Sequence, residues 1–573
     1  MEFIQKKTMD PAVEYFLPKA AESEVSLAWD RFEGQLPECG FCETGLSCRD
    51  CLQGPCISHP FRDSNKMGVC GKDRDLMAAQ SLLRLVLKGA MTHLDRLYEL
   101  AHGIEATKIK PAQQTRTAQL LKETQALFRN GGAGSKKDLP SPWLRRWESL
   151  AILPEGIGRD LFKASQKLEG GASGIEEVLL WAFKSSLLAC FAQRLYGDLI
   201  TSVFGEVEPT RIEVNLGGLK KDSPNLLLLG YFSPILKRKI AEVAKKEAIQ
   251  VMVVCNDPLL PPFRFPVATG YGSQEIALMT GAVDLVVMGD QWVHPSLAQI
   301  AKAFEVPIVP TETLNPEKDL NRWAKEIVER TKKSFEFRRN LPKDIPETKE
   351  WAMMGFSQKQ VDLKKVTAGL QKGVLKGLVL FGGSNNVKYT QDQEITLMAR
   401  EFLSQDILCF SKGEASIALG KYGLLNPESK EKYCGKALSD LLSSLGKEIP
   451  AVIDVGGGER GLIDFILALG KVGKRDGQPL PIVACFPEAN RSSEVTEAMG
   501  LVAMGITTYF WPALPVTGST KVMEVLSQFC QEKLGARLVI PTEKKMEARA
   551  KARWIAKELR GETGYGISGK SWE

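Results

Sequence analysis

No stretch of this chain approaches the roughly 18 uninterrupted apolar residues of a membrane-crossing helix, so no membrane span is expected. The opening Met1-Glu2-Phe3-Ile4-Gln5-Lys6-Lys7 has neither an apolar h-region nor a cleavage site, which predicts no secretory signal and a cytoplasmic location. Histidine is scarce, with four in 573 residues. Net charge is low as well: the formal +6 is small for this length, and Lys and Arg are spread along the chain, so nucleic acid is not an expected partner. Biased tracts, solenoid repeats, a full Rossmann glycine fingerprint and a P-loop are all missing. The feature that stands out is sulfur. Six of the 12 cysteines fall between Cys39 and Cys70, in Cys-Gly-Phe-Cys, then Cys-Arg-Asp-Cys-Leu-Gln-Gly-Pro-Cys, then Gly-Val-Cys-Gly.

Thiols crowded into a loop punctuated by Gly and Pro need something to bind them, and thiolates suit soft metal centres. Cys48, Cys51, Cys56 and Cys70 are spaced C-x2-C-x4-C-x13-C. The first pair can grip one centre within a turn, Gly54-Pro55 redirects the backbone to Cys56, and Gly68 and Gly71 let the chain pass close beside Cys70. Four thiolates match a [4Fe–4S] cluster, and a closed tetrahedral zinc site is the alternative. Cys39 and Cys42 form a left-over CxxC pair. Two ligands cannot complete a cluster, but a twofold axis brings two such pairs together, which predicts a homodimer with a shared cluster. The other six, Cys190, Cys255, Cys409, Cys434, Cys485 and Cys530, mostly lie in apolar surroundings and read as reduced core thiols.

The length predicts two to four domains. Residues 1–205 read as a helical iron–sulfur domain, with helical patterns at 117–129, 141–152 and 175–197 and after Asp73, and a loop at Gly131–Ser135. From about 210, short apolar runs alternate with amphipathic segments. Expected strands are Leu226–Leu229, Val251–Cys255, Leu285–Met288 and Ile308–Val309, with helices over 234–247 and 296–304. A charged stretch near 312–372 marks a boundary. A second series follows, with strands at Leu378–Phe381, Ile407–Phe410, Val452–Val455, Ile482–Cys485, Thr507–Phe510 and Leu538–Ile540. The expected fold class is α/β: the helical domain, then two Rossmann-like doubly wound domains over 206–372 and 373–573. A last helix near 543–560 carries Lys544, Lys545, Arg549, Lys551 and Arg553, which read as a solvated basic face or as a partner-binding one.

The cysteine spacing, together with Gly230-Tyr231-Phe232-Ser233-Pro234, Gly281-Ala282-Val283-Asp284, Pro295-Ser296-Leu297, Ser384-Asn385-Asn386 and Leu514-Pro515-Val516-Thr517-Gly518-Ser519, resembles the catalytic subunit of anaerobic nickel–iron carbon monoxide dehydrogenases over nearly the whole chain. The resemblance implies that Cys48, Cys51, Cys56 and Cys70 ligate a [4Fe–4S] electron-relay cluster and that Cys39 ligates a surface cluster shared by the dimer. The usual partner of Cys39 is replaced by Ser47, and Cys42 supplies the CxxC variant that accompanies a [2Fe–2S] centre in some family members.

The same resemblance implies a nickel–iron–sulfur cluster held by one His and five Cys, and here that set is largely missing. Phe232-Ser233-Pro234 replaces the His before Asn-Pro, Trp292 a Cys, Ser384 a Cys, Glu414 a Cys, and Gly458 or a neighbour another Cys. Only Cys255 stands near a ligand position. Hard or apolar side chains do not substitute for thiolate and imidazole on such a core, so no nickel and no carbon monoxide oxidation are expected. His93 matches a family active-site position, and it reads as a partly buried remnant or as an acid–base group in a new site. Arg96 and Glu99 take helical positions between His93 and His102, where the resemblance implies a row of histidines. Asp454, Glu459, Arg460 and Glu414 read as surface ion pairs or as ligands of a polar molecule in the vacated cavity.

The expected function is therefore an iron–sulfur redox protein, an electron relay or partner subunit that works with a ferredoxin-like carrier or a further protein complex. The alternatives are an oxidoreductase using the vacated cavity for another small substrate or cofactor, and a purely structural or regulatory role.

Overall fold

The computed structural model describes residues 6–59, 66–107, 111–129, 139–169, 174–311, 319–383, 385–456, 460–472, 480–541 and 546–562. The expected loop at Gly131–Ser135 lies outside these residues, as do Lys544 and Lys545 of the basic segment.

The cysteine segment folds as a loop crossed by a two-residue ladder, β1 (Ser47–Cys48) against β2 (Cys56–Ile57), antiparallel. It leads into a 34-residue helix, Arg74–Thr107, whose first turn is capped by Asp73 accepting from the backbone N–H of Leu76 at 2.8 Å. This helix and the 30-residue helix Ile175–Phe204 pack lengthwise, and Ser492–Ala503 lies across both. Leu82, Val86, Leu187 and Val502 are fully buried at this junction, which ties the helical region to the C-terminal sheet. A helix at Ile157–Glu169 adds to the expected set, and the helix expected over 141–152 ends at Ser149.

Beyond the helical region come β3 (Thr210–Val214), β4 (Asn225–Leu229), β5 (Gln250–Val254), a short hairpin of β6 (Leu259–Leu260) and β7 (Phe263–Arg264), β8 (Leu285–Met288), β9 (Ile308–Pro310) and β10 (Glu350–Met354). Four of these make a parallel sheet in the order β5-β4-β8-β9. β3 and β10 pair antiparallel, from Thr210↔Met354 to Val214↔Glu350, a pairing that the charged stretch near 312–372 conceals. The helix Pro11–Glu22 packs Ala12, Val13 and Phe16 into the same core as Leu227 and Leu229.

The last sheet comprises β11 (Gly377–Phe381), β12 (Ile407–Ser411), β13 (Val452–Asp454), β14 (Ile482–Phe486), β15 (Thr507–Phe510) and β16 (Leu538–Val539), all parallel. Its order is β13-β12-β11-β14-β15-β16, which counted from β11 reads 3-2-1-4-5-6, the order of a Rossmann sheet. The buried runs Leu378–Phe381 and Val483–Phe486 form its middle, as expected for strands covered on both faces. The fold is thus α/β with an N-terminal helical region, as the sequence implies. The final helix is Ala548–Leu559, and its Lys551 is buried and ion-paired to Glu394 at 2.6 Å, so that residue does not belong to a solvated face.

Candidate metal loop and switch-point chamber

Four of the six clustered cysteines surround one cavity. Cys48, Cys51, Cys56 and Cys70 line a space of about 130 Å³, closed on other sides by Asp50, Lys72 and Met77. Cys48 is buried at the end of β1 and directly opposite Cys56 on β2, so the ladder register sets that pair. The two glycines act differently from expectation. A Cβ on Gly68 would stand 3.1 Å from Met77 Cε, a tight approach, and in ordinary contact with the Cys56 sulfur at 3.6 Å, so Gly68 makes room for Met77 and not for Cys70. Gly71 has open space around it but a φ of +87°, so it is needed for the turn itself.

Lys72 is buried and reaches three acceptors: Asp50 at 3.1 Å, the Leu168 carbonyl at 2.6 Å and the Cys48 sulfur at 3.9 Å. Arg84 holds the other Asp50 oxygen at 2.6 Å. Burial opposes ionisation of Asp50, yet these two cations bring its carboxyl below the ordinary value. Burial raises the Cys48 thiol. Among the described residues no three His, Cys, Asp or Glu side chains converge on a single metal ion. The four thiols line one cavity, and four thiolates are the donor set of a [4Fe–4S] cluster or of a closed zinc site.

Cys39 and Cys42 are exposed and lie apart from that cavity. Cys39 caps the short helix Gly40–Glu43, and the backbone N–H of Cys42 donates to its carbonyl at 3.0 Å. Hydrogen bonds from the Cys42 backbone and side chain pull the Cys39 thiol below its ordinary value. Ser47 donates from its hydroxyl to the Cys42 sulfur at 3.5 Å, so the serine and the extra thiol are immediate neighbours. Of the remaining cysteines, all but the half-buried Cys434 are buried, and none is disulfide-bonded.

A second cavity, of about 160 Å³, lies where both large sheets reverse strand order. The reversal falls between β4 and β8 in one sheet and between β11 and β14 in the other, and ligands in such sheets bind outside the carboxyl ends at that point. Tyr231 and Phe232 follow β4, Trp292 follows β8, Gly383 follows β11 and Arg491 follows β14, and all five line the chamber. Cys255, Glu414, Asp454 and His93 join them. The structure therefore brings four of the six expected ligand positions, Phe232, Cys255, Trp292 and Glu414, into one place. Ser384, Gly458 and Glu459, and the side chain of Arg460, lie outside the described residues.

Two sequence readings are corrected here. Glu414 and Asp454 are not surface ion pairs, being 9% and 2% exposed. His93 is not partly but almost wholly buried, at 3%. Glu414 accepts from the backbone N–H of Tyr271 at 2.9 Å and from the Cys255 thiol. Burial raises its carboxyl and, more strongly, the Cys255 thiol, while the Arg491 charge opposes both. Asp454 accepts from the Ser416 hydroxyl at 2.5 Å and the Gly355 N–H at 2.8 Å, yet burial still pushes it up to about 6.

Around Trp292 the chamber wall is organic packing. The guanidinium carbon of Arg96 lies 3.4 Å from the Trp292 ring centroid and that of Arg491 lies 4.5 Å from it. Arg96 also stacks on Tyr231 at 4.3 Å and donates through Nε to Gln291 at 2.9 Å. Among the described residues, the thiol, carboxyl, indole and phenyl ring of Cys255, Glu414, Trp292 and Phe232, with the single imidazole of His93, do not supply the soft donor set that a nickel–iron–sulfur core requires. Lys237 and Arg491 escaped sequence reasoning as chamber residues. Their position just past strand ends, Lys237 in the first turn after Ser233-Pro234, was the available signal.

A model of the Prismane/CO dehydrogenase family matches residues 46–130 and 113–545. Carbon monoxide dehydrogenase 1 of Carboxydothermus hydrogenoformans is 29% identical, over 98% of this chain and 99% of that protein. The carbon monoxide dehydrogenase of Rhodospirillum rubrum is 26% identical, over 94% and 95%. Among solved structures, carbon monoxide dehydrogenase IV from Carboxydothermus hydrogenoformans superimposes with a TM-score of 0.90 at 28% identity, covering 97% of this chain and 99% of that one. The as-isolated, nickel-free enzyme from Thermococcus sp. AM4 gives 0.89 at 25%, covering 98% of each.

Proposed function

This chain belongs to the Prismane/CO dehydrogenase family, and from that premise we propose that it is an iron–sulfur redox protein that carries electrons without a carbon monoxide-oxidising site of its own. One contrast carries the reading: four thiols share the cavity in the cysteine loop, while the chamber offers a single thiol, Cys255. In this reading Cys48, Cys51, Cys56 and Cys70 hold a [4Fe–4S] cluster, which supplies one-electron chemistry when bound. Asp50, locked between Lys72 and Arg84, orients the loop, and Lys72 places a positive charge beside the Cys48 sulfur.

Cys39 and Cys42, exposed together, are assigned to a cluster shared with a second copy of the chain, of [2Fe–2S] type. A homodimer and a ferredoxin-like electron carrier, with or without a further protein complex, are the partners this implies. A cytoplasmic location suits the free thiols. The reading is tested by carbon monoxide-dependent reduction of a viologen dye with anaerobically purified protein. No turnover is expected while dithionite reduction still bleaches an iron–sulfur spectrum; turnover at the rate of the relatives would reject it.

A second reading, an oxidoreductase acting on a small molecule in the chamber, is favoured by one observation. The chamber persists as a cavity at both switch points although its thiols are replaced.

A further inference from the structure

The wall of the cysteine-loop cavity carries four thiols, two acids and one cation. Asp50, Lys72 and Glu169 are its charged residues, and Glu169 is exposed at the end of the helix Ile157–Glu169. Among the described residues Lys72 is therefore the only cation lining it, and its side chain is 4% exposed. Its Nζ stands 3.1 Å from Asp50 Oδ2 and 3.9 Å from Cys48 Sγ, two atoms that are themselves 3.2 Å apart. The Cys48 thiol donates to that carboxylate oxygen. A metal takes the thiolate and not the thiol. Ligation thus leaves sulfur and carboxylate facing each other, with Lys72 as the cation they share.

Lys72 is held at this post from a third side. It donates to the Leu168 carbonyl at 2.6 Å, one of the last carbonyls of Ile157–Glu169, which lack partners inside the helix and carry the negative end of its dipole. Gln80 ties the preceding carbonyl, that of Lys167, at 2.5 Å. Asp50, 11% exposed, is fixed from its other oxygen by Arg84 at 2.6 Å. Charges buried in this way act through low-dielectric surroundings and are screened little by salt. One-electron reduction adds a negative charge to a thiolate-bound cluster, whose potential follows the net charge around it and the hydrogen bonds to its sulfurs.

We infer that Lys72 raises the reduction potential of the cluster assigned to Cys48, Cys51, Cys56 and Cys70 and that Asp50 opposes it, so that this buried pair sets the potential at which the loop accepts an electron. Neither residue is a ligand; both are positioning residues that act through the Cys48 sulfur. The inference deepens the electron-carrier reading above and rests on it.

The test is a redox titration of anaerobically purified, full-length protein, followed by the paramagnetic signal that survives the joint change of Cys39 and Cys42 to Ser. Lys72→Met should shift the one-electron equilibrium at least tenfold towards the oxidised form, about 59 mV downward, with iron content unchanged. Asp50→Asn should shift it the opposite way, by threefold or more. Gln80→Leu cuts the neighbouring tie to the same helix end without altering charge, and should move the equilibrium less than threefold. Since Lys72 also anchors that helix, Asp50→Asn decides the matter if Lys72→Met does not retain its iron. An unchanged or raised potential in Lys72→Met, an unchanged or lowered one in Asp50→Asn, or a Gln80→Leu shift as large as that of Lys72→Met would overturn the assignment. Absence of any iron–sulfur signal from the wild-type protein would instead overturn the underlying reading, whatever the variants show.

Discussion

The cysteine loop and the switch-point chamber are both cavities, yet their linings offer different chemistry. The loop keeps its thiols at a cavity rim, with Lys72 and Arg84 held close by Asp50. The chamber holds Cys255, whose thiol is buried against Glu414, while the guanidinium carbons of Arg96 and Arg491 lie 3.4 and 4.5 Å from the centroid of the Trp292 ring. A carboxyl or indole does not replace a soft ligand, so the described side chains of the two regions differ in the donors they offer. The chamber is positioned by the strand ends of the two sheets and the helices that follow them, not by cysteines.

The comparison breaks most readily on the thiol side. Replacing any one of Cys48, Cys51, Cys56 or Cys70 by Ser should remove about four irons per chain and the reduced-cluster paramagnetic signal; retention of both would deny these residues a common centre. Changing Cys39 and Cys42 together to Ser should cost about one to two irons per chain, half of a shared cluster, and leave the four-cysteine signal intact. Loss of both signals would contradict independent sites.

On the chamber side, Asp454 has a folded pKa of about 6 against an ordinary 3.8. The folded chain therefore binds this proton more tightly than the unfolded one, and the associated stability is full below pH ~4 and is lost as pH rises through about 6. The advantage of wild type over Asp454→Asn should shrink by roughly 3 kcal/mol across that window, at about 1.4 kcal/mol per unit. Parallel pH profiles of melting temperature would refute the buried placement. The smallest effect is expected from Trp292→Cys: one restored thiol should recruit no nickel, and loss of the indole stack should destabilise the chain by about 1–2 kcal/mol. Stoichiometric nickel uptake by that variant would mean the remaining ligands are still in place.

Much of this was legible in the sequence because the signals are local. The thiol spacing identifies the four residues that meet at the loop cavity, and apolar runs such as Leu285–Met288 and Thr507–Phe510 coincide with the strands observed. Features that depend on distant partners were not legible. β3 and β10 pair residues about 140 positions apart, and Glu350 and Trp351 do not look like strand when read locally. Glu414 and Asp454 read as surface charges because the donors that make their burial tolerable, Tyr271 and Cys255 for Glu414 and Ser416 and Gly355 for Asp454, are remote in sequence from the carboxyl each one serves. Arg491 takes its meaning from the meeting of two sheets, which no single segment announces.

Metal analysis of anaerobically purified protein bears on the contrast between the two regions most directly. Iron and acid-labile sulfide at about five to six irons per chain, one four-iron cluster plus half of a shared one, with nickel at background, is the predicted inventory. Nickel approaching one per chain, accompanied by several further irons, would place a metal cluster in the chamber and contradict the account.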